Sequence, residues 1–238
     1  MSEENKTEYK MDANEWFGNF WYHYKWHSIV AIFLVVTISV CALQFCQRRD
    51  YDVYVMYAGG GELKMTSSGG DVPEYEKALS ALSRYTDDYD KNGDIAINLL
   101  TLFMPSGEEI DSIKANGKDV SYEKIYDNTK VFRENMLYSD YYLCFLSEEL
   151  FLEQCSADVQ IFDKISNYTK SGADYAYVGE YGIKLSSLPL YARDGIKLLP
   201  DDTVVCIRSL SEVSSRLESG HKQSHERAAA LLRSILDK

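Results

Sequence analysis

The chain is short of proline, short of cysteine and without any surplus of positive charge, and each scarcity closes off a class of function. Four prolines among 238 residues form no rigid linker, and no internal repeat divides the sequence, so tandem modules joined by spacers are excluded. Five cysteines, Cys41, Cys46, Cys144, Cys155 and Cys206, are too few and too scattered for a disulfide framework. Cys144 and Cys206 fall in apolar strand-like runs, where a thiol packs as a small hydrophobe. A Cys144–Cys155 or Cys144–Cys206 bridge stays open for a domain that faces an oxidising compartment. Lysine and arginine number 25 against 37 acidic residues, a net charge of −12. With no local basic cluster, such a chain repels polyanions at long range, so nucleic acid is excluded as a partner. Catalytic signatures are missing too. There is no Gly-x-Ser-x-Gly elbow, no His-Glu-x-x-His helix and no Walker loop, which leaves enzyme as the minority reading.

What the chain does have is a single long greasy run. Ser28 to Cys46, SIVAIFLVVTISVCALQFC, holds 19 positions without a charge. At ~1.5 Å of helical rise per residue it reaches across a hydrocarbon layer roughly 30 Å thick. Its backbone must be paired internally in lipid, so the run predicts one transmembrane helix and a single-pass protein. All three tryptophans, Trp16, Trp21 and Trp26, stand just before it beside Phe17, Phe20, Tyr22 and Tyr24, where amphipathic rings suit the headgroup zone. Asp12 followed by Glu15 resembles a capping box, which predicts a helix starting near Ala13 and running into the membrane, bent at Gly18-Asn19. A cleaved signal peptide would need a 27-residue acidic leader and a small-x-small cleavage site, and neither suits this sequence, so the run reads as an uncleaved anchor. Ile38-Ser39-Val40-Cys41 departs from a lipobox because bulky Val40 precedes the cysteine.

Charge counts on the two flanks nearly tie, with Lys6, Lys10 and Lys25 before the run and Arg48, Arg49 and Lys64 after it. A long domain is translocated largely regardless of flanking charge, whereas a short tail stays inside. The expected plan is therefore a cytoplasmic tail and aromatic juxtamembrane helix over 1–27, a span over 28–46, and an extracytoplasmic domain over 47–238, in the cell membrane. The tail carries −2 and the outer domain −10.

Within the outer domain, Asp52 to Tyr57 alternates with Val53, Val55 and Tyr57 on one side, a first strand that runs into Gly59-Gly60-Gly61. Pro73 opens a helix with Tyr75, Ala78, Leu79 and Leu82 on one stripe. Ile95 to Phe103 is a second strand, apolar enough to be covered on both faces. Tyr122 to Leu137 is a second helix, capped by Ser121, with Ile125, Thr129, Phe132 and Met136 along its stripe. Tyr141 to Leu146 makes a third strand, and Ser147 caps a short acidic helix carrying Leu150 and Phe151. Val159 to Val178 fits strand and helix equally. Thr203 to Arg208 is the last strand, and a closing helix bears Ala228, Leu231, Leu232 and Ile235. This order predicts one α/β domain with a parallel or mixed sheet and helices on both faces.

Tyr22-His23-Tyr24-Lys25-Trp26-His27 entering the span, the strand Tyr51 to Tyr57, and Asp90-Lys91-Asn92-Gly93-Asp94 together resemble a group of single-pass membrane proteins of Gram-positive anaerobes. The outer domain of that group is similar to part of an extracytoplasmic solute-binding protein of the two-lobed kind. The resemblance implies solute capture by a tethered domain, although 192 residues from Gln47 to Lys238 are fewer than a complete clamshell needs.

Three clusters bear on chemistry. In an open α/β sheet a crevice forms beyond the carboxyl ends of strands, here at Gly59, Gly60, Gly61, Ser147 and Glu148, which are the candidate ligand-binding residues. The glycines, with Ser67-Ser68-Gly69-Gly70, read as a mobile loop before an anion cradle. Asp88-Tyr89-Asp90-Lys91-Asn92-Gly93-Asp94-Ile95 fits the first eight positions of a calcium loop, with oxygen ligands at Asp88, Asp90 and Asn92, glycine at position six and Asp94 after it. Position twelve is Leu99, so a calcium ion, the one candidate cofactor, needs ligands from elsewhere, and Asn92-Gly93 also serves simply as a turn. The histidines come as His23/His27 and His221/His225, each at metal-binding spacing, with Glu226 a third ligand for the latter. Their bland readings are an interfacial ring pair and a solvated helix start. The expectation is a membrane-anchored extracytoplasmic binding or interaction module. Its partners are the bilayer through 28–46 and a small ligand or another membrane protein, and the alternative is an accessory subunit of a membrane complex.

Overall fold

The computed structural model describes residues 13–46, 51–66, 71–157, 159–170, 174–193, 196–210 and 219–237. The chain divides into two compact units, 1–49 and 50–238. In the first, one helix, α1, runs over Ala13–Cys46 and is continuous through Gly18 and Asn19. Its Phe20–Leu43 stretch of 24 residues is long and apolar enough to cross a bilayer. Large side chains such as Trp21, Trp26, Phe33 and Ile38 are exposed on it. Thr37 donates to the Phe33 carbonyl at 2.9 Å and Ser39 to the Val35 carbonyl at 2.7 Å, so both hydroxyls are satisfied within the helix. Asp12, the side chain of Trp16 and the 67–70 segment lie outside the described residues.

The second unit is an α/β domain around one mixed six-stranded sheet. Its strands are β1 (Val53–Gly59), β2 (Ile97–Phe103), β3 (Leu143–Leu146), β4 (Tyr177–Val178), β5 (Gly182–Lys184) and β6 (Val204–Ile207), in the spatial order β2-β1-β3-β6-β5-β4. β1 pairs in parallel with β2 and with β3, and the pairs from β3 outward through β6, β5 and β4 are antiparallel. Helices α2 (Glu74–Ser83), α3 (Gly107–Ala115), α4 (Tyr122–Tyr138), α5 (Glu148–Cys155) and α6 (Ser219–Asp237) complete it.

Two separate cores follow from the period-two alternation of the strands. Val53, Val55 and Tyr57 point to the face covered by α2 and α6, whereas Met56 and Ala58 point to the face covered by α4 and α5. β3 and β6 are buried at every position, as continuous apolar runs with helices on both sides should be. On α6, Ala228, Leu231, Leu232 and Ile235 are all fully buried, and this stripe docks the closing helix on the sheet. α4 begins at the expected cap, with Lys124 N–H donating to the Ser121 hydroxyl at 3.3 Å.

Several boundaries and one cap differ from expectation. β2 starts at Ile97 and leaves Ile95 exposed, because the turn at Asn92-Gly93 still occupies the chain there. Ser147 stands at the N-cap of α5 but makes no side-chain cap bond. Its amide instead continues the sheet by donating to the Ala58 carbonyl at 2.9 Å. The ambiguous 159–178 stretch is neither a long strand nor a helix. It makes one bridge at Phe162 opposite Arg208, a 3-10 turn over Ile165–Asn167, and then β4. α3 was not anticipated, although its capping box was legible: Ser106 and Glu109 exchange both bonds. Cys144 and Cys206 are direct cross-strand partners and both are buried free thiols, with Cys155 free and exposed.

Arg208, 4% exposed, was missed altogether. Its guanidinium donates to the Asn135 and Ser139 carbonyls at the end of α4 and stacks 4.5 Å from the Tyr142 ring centroid. The Asn135 carbonyl also accepts from the Ser139 hydroxyl at 2.7 Å, and a buried cation at the negative end of α4 complements the helix dipole.

Candidate functional site

The carboxyl ends of β1 and β3 do bring Gly59 and Ser147 together, with Ser147 Cβ 3.4 Å from where a side chain on Gly59 would begin. The same end of the sheet is filled by protein. The Tyr57 hydroxyl accepts a hydrogen bond from the Gly61 amide at 2.8 Å. The Glu109 carboxylate, held by the Ser106 amide at 2.7 Å, covers the position a Gly60 side chain would take, and Pro200 covers that of Gly61. Burial raises the Tyr57 hydroxyl far above the usual tyrosine range, so it stays a neutral partner for that amide. Glu148 is engaged by Lys184 at 3.0 Å. The three glycines thus serve close approach, since any side chain there would meet Tyr57, Glu109 or Pro200.

The opening at this end of the sheet lies one strand further out. A cleft of about 410 Å³ runs between the 61–66 segment, Thr101 and Phe103 of β2, and Lys124 and Asn128 of α4. Gly61 is the one residue of the expected crevice that lines it. Lys124 bridges the cleft wall to Glu62 at 2.5 Å, with both side chains about half exposed, and sits 5.6 Å from the Phe103 ring centroid. Asn128 donates to the Phe103 carbonyl at 3.0 Å. A second hollow of about 430 Å³ lies over α2, where Lys77 and Arg84 stand beside Glu76 and Arg193.

The 88–94 loop adopts the turn its residues suggested. Asp88 accepts from the Gly93 amide at 2.8 Å, Asp90 from the Asn92 amide at 3.0 Å, and Asn92 from the Asp94 amide at 2.7 Å. Lys91 and Gly93 take positive φ, 57° and 94°, which lets the chain coil around the carboxylates. The Gly93 amide, the chief cause, holds the Asp88 carboxyl below the usual carboxylate range. What sequence could not supply is Asp52, just before β1 and 1% exposed. It accepts from the Tyr89 amide at 2.8 Å and the Ala96 amide at 2.9 Å and so clamps both ends of the loop. Carboxylate oxygens of Asp52, Asp88 and Asp90 all lie within 4.8 Å of one another, and Asp88 Oδ1 is buried with no hydrogen-bond partner among the described residues. Hard oxygen donors converging on one point fit calcium in ligand type.

The histidine pairs fit a metal less well. His221 and His225 are turned inward, edge-on to the Tyr142 ring, and are not the solvated helix start that was expected. Each is paired with a carboxylate, His221 with Asp140 at 2.9 Å and His225 with Asp163 at 3.0 Å, while Glu226 faces Lys222 at 3.9 Å. Asp163 also accepts from the Tyr168 hydroxyl at 2.7 Å, and the bond to His225, the largest cause, lowers its carboxyl below the usual range. His23 and His27 are exposed on α1 beside Tyr22 and Tyr24. No protein-family model matches the chain, and no curated protein or solved structure is similar to it.

Proposed function

We propose that the chain is a membrane-anchored extracytoplasmic binding module without catalysis, whose ligand occupies the cleft at the carboxyl ends of β1 and β2. The observation that carries the reading is the position of that cleft. In a sheet whose parallel strands run β2-β1-β3, the strand ends are where backbone groups and loops are left free to meet a ligand. α1 supplies the tether, with its tail in the cytoplasm and the domain outside. A parallel core with helices on both faces is also what one lobe of a two-lobed solute-binding protein would contribute, which supports the resemblance. One lobe encloses a ligand on a single side, so the affinity expected is modest.

The test has two arms on the full chain in its native membrane. Alkaline carbonate extraction should leave the protein in the pellet, and protease added to intact cells should digest the domain. Release into the supernatant, or full protection of the domain, would overturn the anchor or its direction. A thermal-shift panel of sugars, amino acids and short peptides on the detergent-solubilised chain should then find a stabiliser that Lys124→Ala weakens.

A second reading is favoured by Asp52. The 88–94 loop binds a calcium ion through Asp88, Asp90 and Asn92, with Asp52 standing in for the carboxylate that Leu99 cannot offer. Calcium there would pin the loop between α2 and β2 to the base of β1.

A further inference from the structure

We infer that the β2-side cleft takes an extended, carboxylate-bearing peptide segment, which adds to the free edge of β2 as a short extra strand. The inference rests on the binding role proposed above and names the chemical class of its ligand.

β2 is the outermost strand on its side of the sheet. In a parallel pair the N–H and C=O of one residue point to the same side, and the side alternates with every residue. Met104 N–H bonds the Gly59 carbonyl at 2.8 Å, so the even-numbered residues of β2 face β1 and the odd-numbered ones face the free edge. Two odd-numbered carbonyls are already used: Leu99 accepts from the Tyr75 hydroxyl at 2.9 Å and Phe103 from the Asn128 amide at 3.0 Å. Between them, Thr101 presents both its N–H and its C=O to the cleft, and among the described residues neither has a partner. An acceptor and a donor on one residue, flanked by blocked carbonyls, match the main chain of a single extended residue and not a long strand. A second copy of β2 pairing along its whole length would have to displace both Tyr75 and Asn128.

Charge sets the side-chain preference. The cleft is lined by Lys64 and Lys124 against Glu62 alone, a local positive excess on a chain of net −12. Lys124 occupies the first turn of α4, where a cation opposes the helix dipole and a bound anion would be favoured. Its partner Glu62 is half exposed, and such surface pairs are weak enough for a ligand carboxylate to compete. The mode is strand addition, with main-chain bonds supplying affinity and a lysine reading one acidic position.

The probe is the blocked pentapeptide Ac-Val-Thr-Val-Glu-Val-NH₂, added to the ¹⁵N-labelled full chain in detergent micelles and followed by the amide resonance of Thr101. The expected result is a saturable shift at Thr101. Replacing the peptide Glu by Gln should weaken binding about fivefold, and N-methylating its central amides at least tenfold. In the protein, Thr101→Pro deletes an N–H that the β1–β2 ladder does not use, so the fold should persist by circular dichroism while peptide binding, followed in this variant by the Asn128 side-chain amide, drops at least tenfold. Lys124→Met should erase the Glu-over-Gln preference. An N-methylated peptide that binds as well as the parent, or a parent peptide that leaves Thr101 unmoved, overturns the inference. A sugar or amino acid that shifts Thr66, Thr101 and Asn128 while the peptide does not would retain the binding role and refute its peptide ligand. Concentration-dependent self-association that shifts Thr101 without added peptide would assign the edge to a second copy instead.

Discussion

Calcium offers the sharpest perturbation of this fold, because its proposed ligands come from two places that only the folded chain unites. Asp88, Asp90 and Asn92 belong to one turn, and Asp52 lies 36 residues before Asp88. In the unfolded chain the site is dispersed, so the ion binds the native state and stabilises it by RT ln(1 + [L]/Kd). A site with an incomplete calcium loop belongs among the weak extracellular modules, with Kd on the order of 10⁻⁴–10⁻³ M. About 5 mM calcium then contributes roughly 1–2 kcal/mol. For a domain of this size that moves the melting midpoint by about 2–8 °C. The assay is thermal unfolding of the full chain in detergent, followed by circular dichroism, in calcium, magnesium and chelator. Asp90→Asn is the informative variant because Asp90 is exposed and bonds only within its own turn. It should leave the chelator midpoint unchanged or slightly higher, since it relieves carboxylate repulsion, and it should remove most of the calcium shift. Asp52→Asn should remove the shift too, but it also weakens the clamp on Tyr89 and Ala96 and so lowers the chelator midpoint. No shift in the parent protein, an equal shift with magnesium, or an undiminished shift in Asp90→Asn would each refute the site.

Three further outcomes follow from packing and protonation. Arg208→Met keeps the apolar stem but strips the donors from the last-turn carbonyls of α4, so it should destabilise the domain by about 2 kcal/mol, read as a lower urea midpoint at unchanged slope. Gly60→Ala drives its methyl into the Glu109 carboxylate and should cost roughly 1 kcal/mol through the broken capping box. If that is the mechanism, Gly60→Ala adds nothing on top of Glu109→Ala, and full additivity of the two would disprove it. Asp163, whose carboxyl is lowered chiefly by His225, contributes stability that is present above the ordinary carboxylate pKa near 4 and is lost as pH falls through the lower folded value. Asp163→Asn should therefore be less stable at neutral pH yet flatter than the parent protein as pH falls below the ordinary carboxylate range, and parallel acid limbs would refute the linkage.

How much of this could be read from residues alone depends on the range of the signal. The apolar run over 28–46, the α2 and α4 stripes and the α6 stripe are local patterns with strong periodicity, and α1, α2, α4 and α6 appear where those patterns put them. The β4–β5 hairpin was not legible because strands of two and three residues carry no periodicity, and only Gly179 at φ 62° marks their turn. α3 was legible and overlooked, its Ser106 and Glu109 spaced as a capping box demands. The site divides along the same line. The candidate ligands Asp88, Asp90 and Asn92 are close together in sequence, whereas Asp52 joins them only because β1 and β2 pair in parallel and bring the approach to β1 against the approach to β2. Arg208 is the harder case. A lone arginine ending an apolar strand looks like the return to solvent, and only the placement of the α4 terminus beneath it shows why the cation is buried.

The two edges of the sheet are protected by different means. An edge strand offers unpaired main-chain groups that invite other chains, and folded proteins blunt it with charge, proline, bulges or brevity. At the far edge β4 is two residues long, so brevity suffices. β2 has seven residues, INLLTLF, with neither charge nor proline, and of itself is the kind of edge that aggregates. Its protection comes from elsewhere in the fold, through Tyr75 of α2 and Asn128 of α4, which occupy the Leu99 and Phe103 carbonyls. Two side chains from opposite faces of the sheet therefore occupy two of the carbonyls on this edge, and Thr101 between them opens on a cleft lined by two lysines. A second β2 pairing along its whole length would have to displace both caps. It follows that Tyr75→Phe and Asn128→Ala, which uncap the carbonyls while leaving the β1–β2 ladder intact, should convert a selective slot into a general edge and raise concentration-dependent association in sedimentation velocity. Association that stays at the parent level in the double variant would show that the faces of the sheet, and not these two caps, keep β2 from pairing.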